Sequence, residues 1–271
     1  MRLLYQSMTP IEHLTHYSDA LKKHAKTSCL PDTQVDFKGV QEGFFEGSSP
    51  TEIYRYPYLK HRILSTIIEN GRQAQADGYD AFILGSFSEP YLAELRSLLS
   101  IPVVSMVESC CMTASSLGDM FAFICLSKVN TRRVKAIVTK HGILSRVSGW
   151  YALPVPFEEN QLNASFANPD ALISAFTQAA TQAAEDGADV VIPAEGVMTE
   201  VLHFSGVKTI AGATVMDSVG ATMTYAEMLV HLMKRSGLTM GRKWSYQQPS
   251  PEMLALLDNN LNNHRYVKSV D

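Results

Sequence analysis

The sequence predicts an α/β protein of two pseudosymmetric lobes, each holding a parallel sheet flanked by helices, with a cleft between them. Three observations predict it. Short apolar runs alternate with longer amphipathic segments along the chain, the pattern of βαβ units whose strands are covered on both faces. A stretch near the middle, NGRQAQADGYDAFILGSFSEPYLAEL, returns later as QAATQAAEDGADVVIPAEGVMTEVL. The opening MRLLYQS is similar to FAFICLS, which pairs Ser7 with Ser127.

Taken in order, residues 2–5 read as a strand and 10–26 as a helix opened by Pro10, whose fixed φ suits a first helical turn. A strand over 34–40 and a long helix over 51–77 follow. Next come a strand over 80–84, a helix from Pro90, a strand over 102–106 and a helix over 108–117. The cycle restarts with a strand over 121–126 and a helix over 130–141. A helix over 169–186, a strand over 189–193, a short helix after Gly196 and a long helix over 216–236 complete it. The tail carries one short amphipathic piece, EMLALLDNNL, suited to packing on a lobe or a partner subunit. The repeat divides the chain into residues 1–117 plus 212–271 for one lobe and 118–211 for the other.

In both copies of the repeat an Ala/Gln-rich helix ends at glycine, so Gly78 and Gly187 are expected as helix C-caps. Asp80 and Asp189 stand two residues on, and Ser86 and Glu195 eight residues on. Ser86 and Glu195 thereby fall at equivalent strand ends. Ligands of open α/β sheets bind at the carboxyl ends of strands, which in a two-lobed protein means the cleft.

The composition excludes several classes. Among 271 residues, 46% hydrophobic and 18% charged, the net charge of −4 leaves no basic stripe for nucleic acid. No apolar run reaches the length of a membrane span, and MRLLYQSMTPIEHL is too short and polar for a signal peptide. Cys29, Cys110, Cys111 and Cys125 lack metal-type spacing and suit a reduced, cytoplasmic setting without disulfides. Cys110, Cys111 and Cys125 lie in apolar elements and read as inert thiols. His13, His16 and His24 read as a solvated helix face, since their spacing is not that of a zincin, and no metal is expected. No phosphate-binding glycine motif follows a strand, so no cofactor is expected either. A small-molecule substrate remains.

Several segments, in order, resemble the aspartate/glutamate/hydantoin racemase superfamily, in which each of two lobes ends a strand with a catalytic cysteine. GYDAFILGSFSEP stands where the family has G-x-D-A-I-x-I-A-C-F-x-D-P, putting Ser86 at the first cysteine. GADVVIPAEGVMT puts Glu195 at the second. IPVVSMVES through Glu108, LGDMFAFICLS, HGILSRVSGW and KTIAGATVMDSVGA with Asp217 resemble further family stretches. The likeness runs over most of residues 75–245; LYQSMTP only loosely replaces the family's I-N-P-N-T. The resemblance implies cofactor-independent proton transfer at a carbon next to a carboxylate or carbonyl, and a homo-oligomer.

Both cysteines are replaced, which shifts the expected chemistry. Glu195 can act as a general acid or base from a strand end, or serve as a helix N-terminal residue favoured by the dipole. Ser86 is a weak base and needs a partner to become a nucleophile. Open roles are a hydrogen bond to a substrate oxygen, a proton relay, a nucleophile activated by Glu195 with an oxyanion hole in the following turn, or a simple helix cap. Gln6, Thr9 and Ser127, after the pseudo-equivalent strands, are expected to hold substrate oxygens, as those loops do in the family. Phe87, Ser88, Gly196 and Val197, which follow the two strand ends, complete the expected contacts, and Met198 joins Phe87 in an apolar wall. The leading function is a cofactor-independent isomerase, racemase or lyase for a small carbonyl or carboxyl compound. A hydrolase of amide, imide or ring C–N bonds using Ser86 and Glu195, and a non-catalytic ligand-binding relative, are the alternatives.

Overall fold

In the computed structural model, which describes residues 1–12 and 14–264, the apolar runs form two sheets. The first contains β1 (Arg2–Gln6), β2 (Gln34–Lys38), β3 (Ala81–Leu84) and β4 (Val103–Ser105), all parallel, in the order β2-β1-β3-β4. The second contains β5 (Phe121–Cys125), β6 (Val147–Ala152), β7 (Val190–Pro193), β8 (Thr209–Ile210) and β9 (Ala213–Val215), in the order β6-β5-β7-β9-β8. Its strands are parallel except for the β8–β9 pair. The order β6-β5-β7-β9 reproduces β2-β1-β3-β4, so the internal repeat is a repeat of topology.

The anchors of the repeat are physical. Gly78 and Gly187 adopt φ of 77° and 101°, in the left-handed region that glycine enters without penalty. Asp80 Oδ2 accepts from the Arg2 N–H at 2.7 Å, and Asp189 Oδ2 accepts from the N–H groups of Asp119 and Met120 at 2.8 and 3.0 Å. Each aspartate thus fastens the start of its central strand. The ladder register corrects one expected pairing. Gln6 lies opposite Leu84 and Ile124 opposite Pro193, so the counterpart of Ser127 is Thr9 rather than Ser7.

The helices depart from expectation where local geometry intervenes. α1 (Thr15–Ser28) begins five residues beyond Pro10. The helix expected over 51–77 is three: α2 (Pro50–Ile53), α3 (Pro57–Leu64) and α4 (Thr66–Ala76). Pro57 forces Tyr56 into an extended conformation and opens α3. α5 (Leu92–Leu98) starts later than Pro90, because Glu89 and Tyr91 take φ of 30° and 58° and hold the chain in a turn. α6 (Met106–Leu117), α7 (Lys128–Lys140), α9 (Asp170–Glu185) and α10 (Gly196–Phe204) match expected helices, with a six-residue α8 (Glu159–Ala164) between α7 and α9. The long α11 (Ser218–Ser236) packs on α1, α6, β3 and β4, returning the chain to the first sheet. α12 (Pro251–His264) contains the expected amphipathic piece and is tied to α4 by the Arg72–Asp258 ion pair.

Three strands had no counterpart in the sequence reading. β6 is half-buried throughout and contains Ser148 and Gly149, which mute the strand signal. β8 and β9 form a hairpin turned by Ala211 and Gly212, both at positive φ. β9 pairs with β7, so the second sheet runs past the boundary expected at 211. One core spans both sheets, joining Leu3, Tyr5 and Ile83 to Phe121, Phe123 and Ile192. No helix among the described residues is long and apolar enough to cross a membrane.

Candidate active site

The ends of β3 and β7 open on one cavity of about 150 Å3. Ser86, Phe87 and Ser88 line it from the first sheet, and Ala194, Glu195 and Gly196 from the second. Ser7, Met8, Thr9, Tyr17, Lys60, Asn130 and Arg133 complete most of the wall. The two residues at the repeat's strand ends are therefore brought together.

Glu195 is the N-cap of α10, with Oε2 accepting from the Met198 N–H at 2.6 Å. Burial pushes its carboxyl above the usual range, and the backbone N–H groups of Met198, Val197 and Gly196 pull it down only in part. Both readings of Glu195 thus describe one residue, a helix cap whose carboxyl faces a cavity. The Tyr17 hydroxyl lies against Gly196, where a Cβ would approach it to 2.6 Å. Glu159, on α8, is pushed up to about 7 by burial and by the charge of Glu195. Its Oε2 is buried without a hydrogen-bond partner among the described residues.

Ser86 sits in a turn. Its Oγ accepts from the Ser88 N–H at 3.1 Å and lies 3.0 Å from the Ser88 hydroxyl. It does not cap α5, which begins six residues later. No basic side chain is hydrogen-bonded to it among the described residues.

Two cations that the sequence reading did not single out face the cavity. Lys60 comes from α3 and Arg133 from α7. Burial and the charge of Arg133 lower the Lys60 ammonium below its usual range. Neither side chain is ion-paired among the described residues. Both belong to amphipathic helices whose charged faces look alike in sequence, so only their convergence marks them.

Other expected contacts fall elsewhere. Gln6 is fully buried, donating to the Ser7 and Lys38 carbonyls and accepting from Asn70 Nδ2, so it ties β1, β2 and α4 together. Ser127 caps α7, donates to Asn130 and lines a separate hollow with Trp150 and Tyr151. Thr9 does line the cavity, bonded to the Ser7 hydroxyl. Val197 contributes its N–H to Glu195, and Met198 is packed in the core rather than in an apolar wall. Glu108 is paired with Arg96 and His141 away from the cavity. The four cysteines are free, and burial pushes the Cys110 and Cys125 thiols to about 12.

His24 belongs to no solvated face. It is fully buried, with Nδ1 2.8 Å from Glu200 Oε1 and Nε2 2.8 Å from Asp217 Oδ2. His13 lies outside the described residues.

Comparison with known proteins agrees with this architecture. The family model for Asp/Glu/hydantoin racemase matches residues 40–226. A hydantoin racemase from Pseudomonas sp. (strain NS671) is 25% identical over 213 residues, covering 78% of this chain and 80% of that protein. Two solved structures share the fold at a TM-score of 0.71. The allantoin racemase from Klebsiella pneumoniae is 16% identical, covering 92% of this chain and 94% of its own. The one from Pseudomonas fluorescens is 21% identical, covering 93% and 98%.

Proposed function

The chain belongs to the Asp/Glu/hydantoin racemase family, and within it we propose a cofactor-independent enzyme in which Glu195 moves a proton at a carbon next to a carbonyl or carboxylate. The observation that carries this reading is the Glu195 carboxyl, capping α10 while facing the same cavity as Ser86. A carboxyl raised above its usual range is closer to the pH at which a general base and its conjugate acid both act.

Glu195 removes the proton, and negative charge grows on the substrate oxygen. Lys60 and Arg133 supply positive charge to the cavity, which favours a small anionic substrate and its more highly charged transition state. Ser86 hydrogen-bonds a substrate oxygen. Glu195 then returns the proton, so the chemistry is one-sided isomerisation or exchange. Fast two-base racemisation needs a competent base at position 86, and a serine hydrogen-bonded to Ser88, with no basic partner among the described residues, is not one. The same geometry gives no support to Ser86 as the nucleophile of a hydrolase.

The test is solvent-deuterium exchange at the α carbon of small carboxylates and carbonyl compounds, followed by proton NMR. Wild type exchanges, and Glu195→Gln does not, with its circular dichroism unchanged. Equal exchange in both sinks the proposal. We further infer a homo-oligomer of two-lobed subunits, as the family resemblance implies, in a cytoplasmic setting that suits four free cysteines.

A further inference from the structure

A second cluster of chemistry-bearing side chains lies outside the cavity, where α1, α10 and α11 meet. One candidate ligand atom from each of His24, His203 and Asp217 lies within 4.8 Å of the other two. His24 Nε2 is 2.8 Å and His203 Nδ1 is 3.4 Å from the same Asp217 oxygen. The two imidazoles stack with centroids 3.7 Å apart, so a cation held in the plane of both rings requires the partly exposed His203 ring to turn. We propose that His24, His203 and Asp217 form a binding site for a divalent transition-metal cation of the Zn2+ class, with Glu200 as the positioning residue behind His24.

Four features of the cluster support the assignment. First, the ligand set of two imidazoles and one carboxylate is that of many three-ligand zinc sites, which leave a fourth position open. Ligands at zinc bond lengths in a tetrahedron stand about 3.3 Å apart. The His203–Asp217 spacing already matches, and the His24–Asp217 pair needs to open by about half an ångström.

Second, two of the three ligands, His24 and Asp217, are oriented through their other polar atom. Glu200 Oε1 lies 2.8 Å from His24 Nδ1, the carboxylate–histidine arrangement that fixes the tautomer, so that Nε2 can turn from its hydrogen bond with Asp217 to a cation. Asp217 Oδ1 accepts from the Gly220 N–H at 2.9 Å, which leaves Oδ2 for the cation.

Third, the charge balances. Glu200 is fully buried, and its Oε2 has no hydrogen-bond partner among the described residues. Two carboxylates, Glu200 and Asp217, share this spot, and buried charge of one sign is costly unless matched. A dication on neutral imidazoles matches both carboxylates. Fourth, an ion has a way in, since the Asp217 and His203 side chains are about a third exposed.

The site would clamp α10, whose N-cap is Glu195, to α1 and α11. Its presence does not depend on the proposed reaction.

Titration of chelator-treated protein with Zn2+ by calorimetry, and with Co2+ by visible absorption, tests the proposal directly. Wild type should bind one equivalent and show the intense d–d bands of a low-coordinate cobalt site. His203→Ala and Asp217→Asn should each weaken Zn2+ binding at least tenfold, and Glu200→Gln about 10- to 100-fold. His16→Ala should leave it unchanged. His203 is partly exposed, and Asn at 217 retains an oxygen for the α11 cap, so these variants should fold, as circular dichroism would verify. Absence of stoichiometric Zn2+ binding to wild type, or binding unaltered in both His203→Ala and Asp217→Asn, would overturn the site and leave the cluster a plain ion pair.

Discussion

The ends of β3 and β7 occupy equivalent places in the two halves, yet they are built differently. Glu195 is itself the N-cap of α10, so the backbone N–H groups of residues 196–198 converge on its side chain. Ser86 enters a turn held by the positive φ of Glu89 and Tyr91, and the next helix starts only at Leu92. A helix N-terminus stabilises an anion, and a turn stabilised by a hydroxyl does not need one. The chemistry placed at each end follows the backbone behind it: a carboxyl where the helix dipole helps hold its charge, and an alcohol where it does not.

The largest test of that asymmetry compares the two residues directly. Glu195→Gln should lower turnover by about 100- to 10,000-fold, the range of a lost general acid or base. Ser86→Ala should lower it only about tenfold, the effect of one hydrogen bond. Equal losses would make the halves functionally symmetric and break the comparison.

The anchors should behave alike where the strand ends do not. Asp80→Ala and Asp189→Ala each free backbone N–H groups at the start of a central strand, and each should cost about 1–3 kcal/mol in urea unfolding. A large loss at one position and none at the other would show that the repeat is not mechanically equivalent.

Each half also contributes one cation to the cavity. Lys60→Ala and Arg133→Ala should each raise KM for an anionic substrate by about tenfold with a smaller change in kcat. An unchanged KM in both would remove substrate charge from the account.

The smallest expected effect concerns Glu159. Its folded-state pKa of about 7 is raised, so its stabilising contribution is complete in acid and lost as pH rises through that value. Glu159→Gln should flatten the corresponding fall in unfolding midpoint. Glu195→Gln removes the neighbouring negative charge and should move the Glu159 titration, followed by carbon NMR, to lower pH.

Much of the fold was legible because it is written in local spacing. Gly78 and Gly187 end helices, Asp80 and Asp189 follow at a fixed interval, and apolar runs mark β1, β3, β5 and β7. The Pro57 break in the 51–77 helix was also present in the sequence, but the apolar periodicity on either side masked it. β6 and the β8–β9 hairpin were not legible, because half-buried edge strands carry mixed patterns that only their neighbours stabilise.

The site divides the same way. Ser86 and Glu195 were legible as lining one cavity because the repeat counts them out, and Thr9, Phe87, Ser88 and Gly196 followed by adjacency. Gln6 and Ser127 were misplaced because polarity near a strand end does not say where a side chain points. Burial turned Gln6 into a brace between strands, and capping turned Ser127 toward Asn130.

By itself, then, the sequence determined the two-sheet α/β plan and the residues standing at its strand ends, since both depend on spacing along the chain. The tertiary structure alone decided that Lys60, Arg133 and Tyr17 line one cavity with Glu195, and that His24, His203 and Asp217 meet. Those groups lie on helices far apart in sequence, and their meeting depends on which helix face each sheet buries. It also decided the balance at Glu195, because burial and backbone N–H groups oppose each other there, and only their geometry shows that burial prevails.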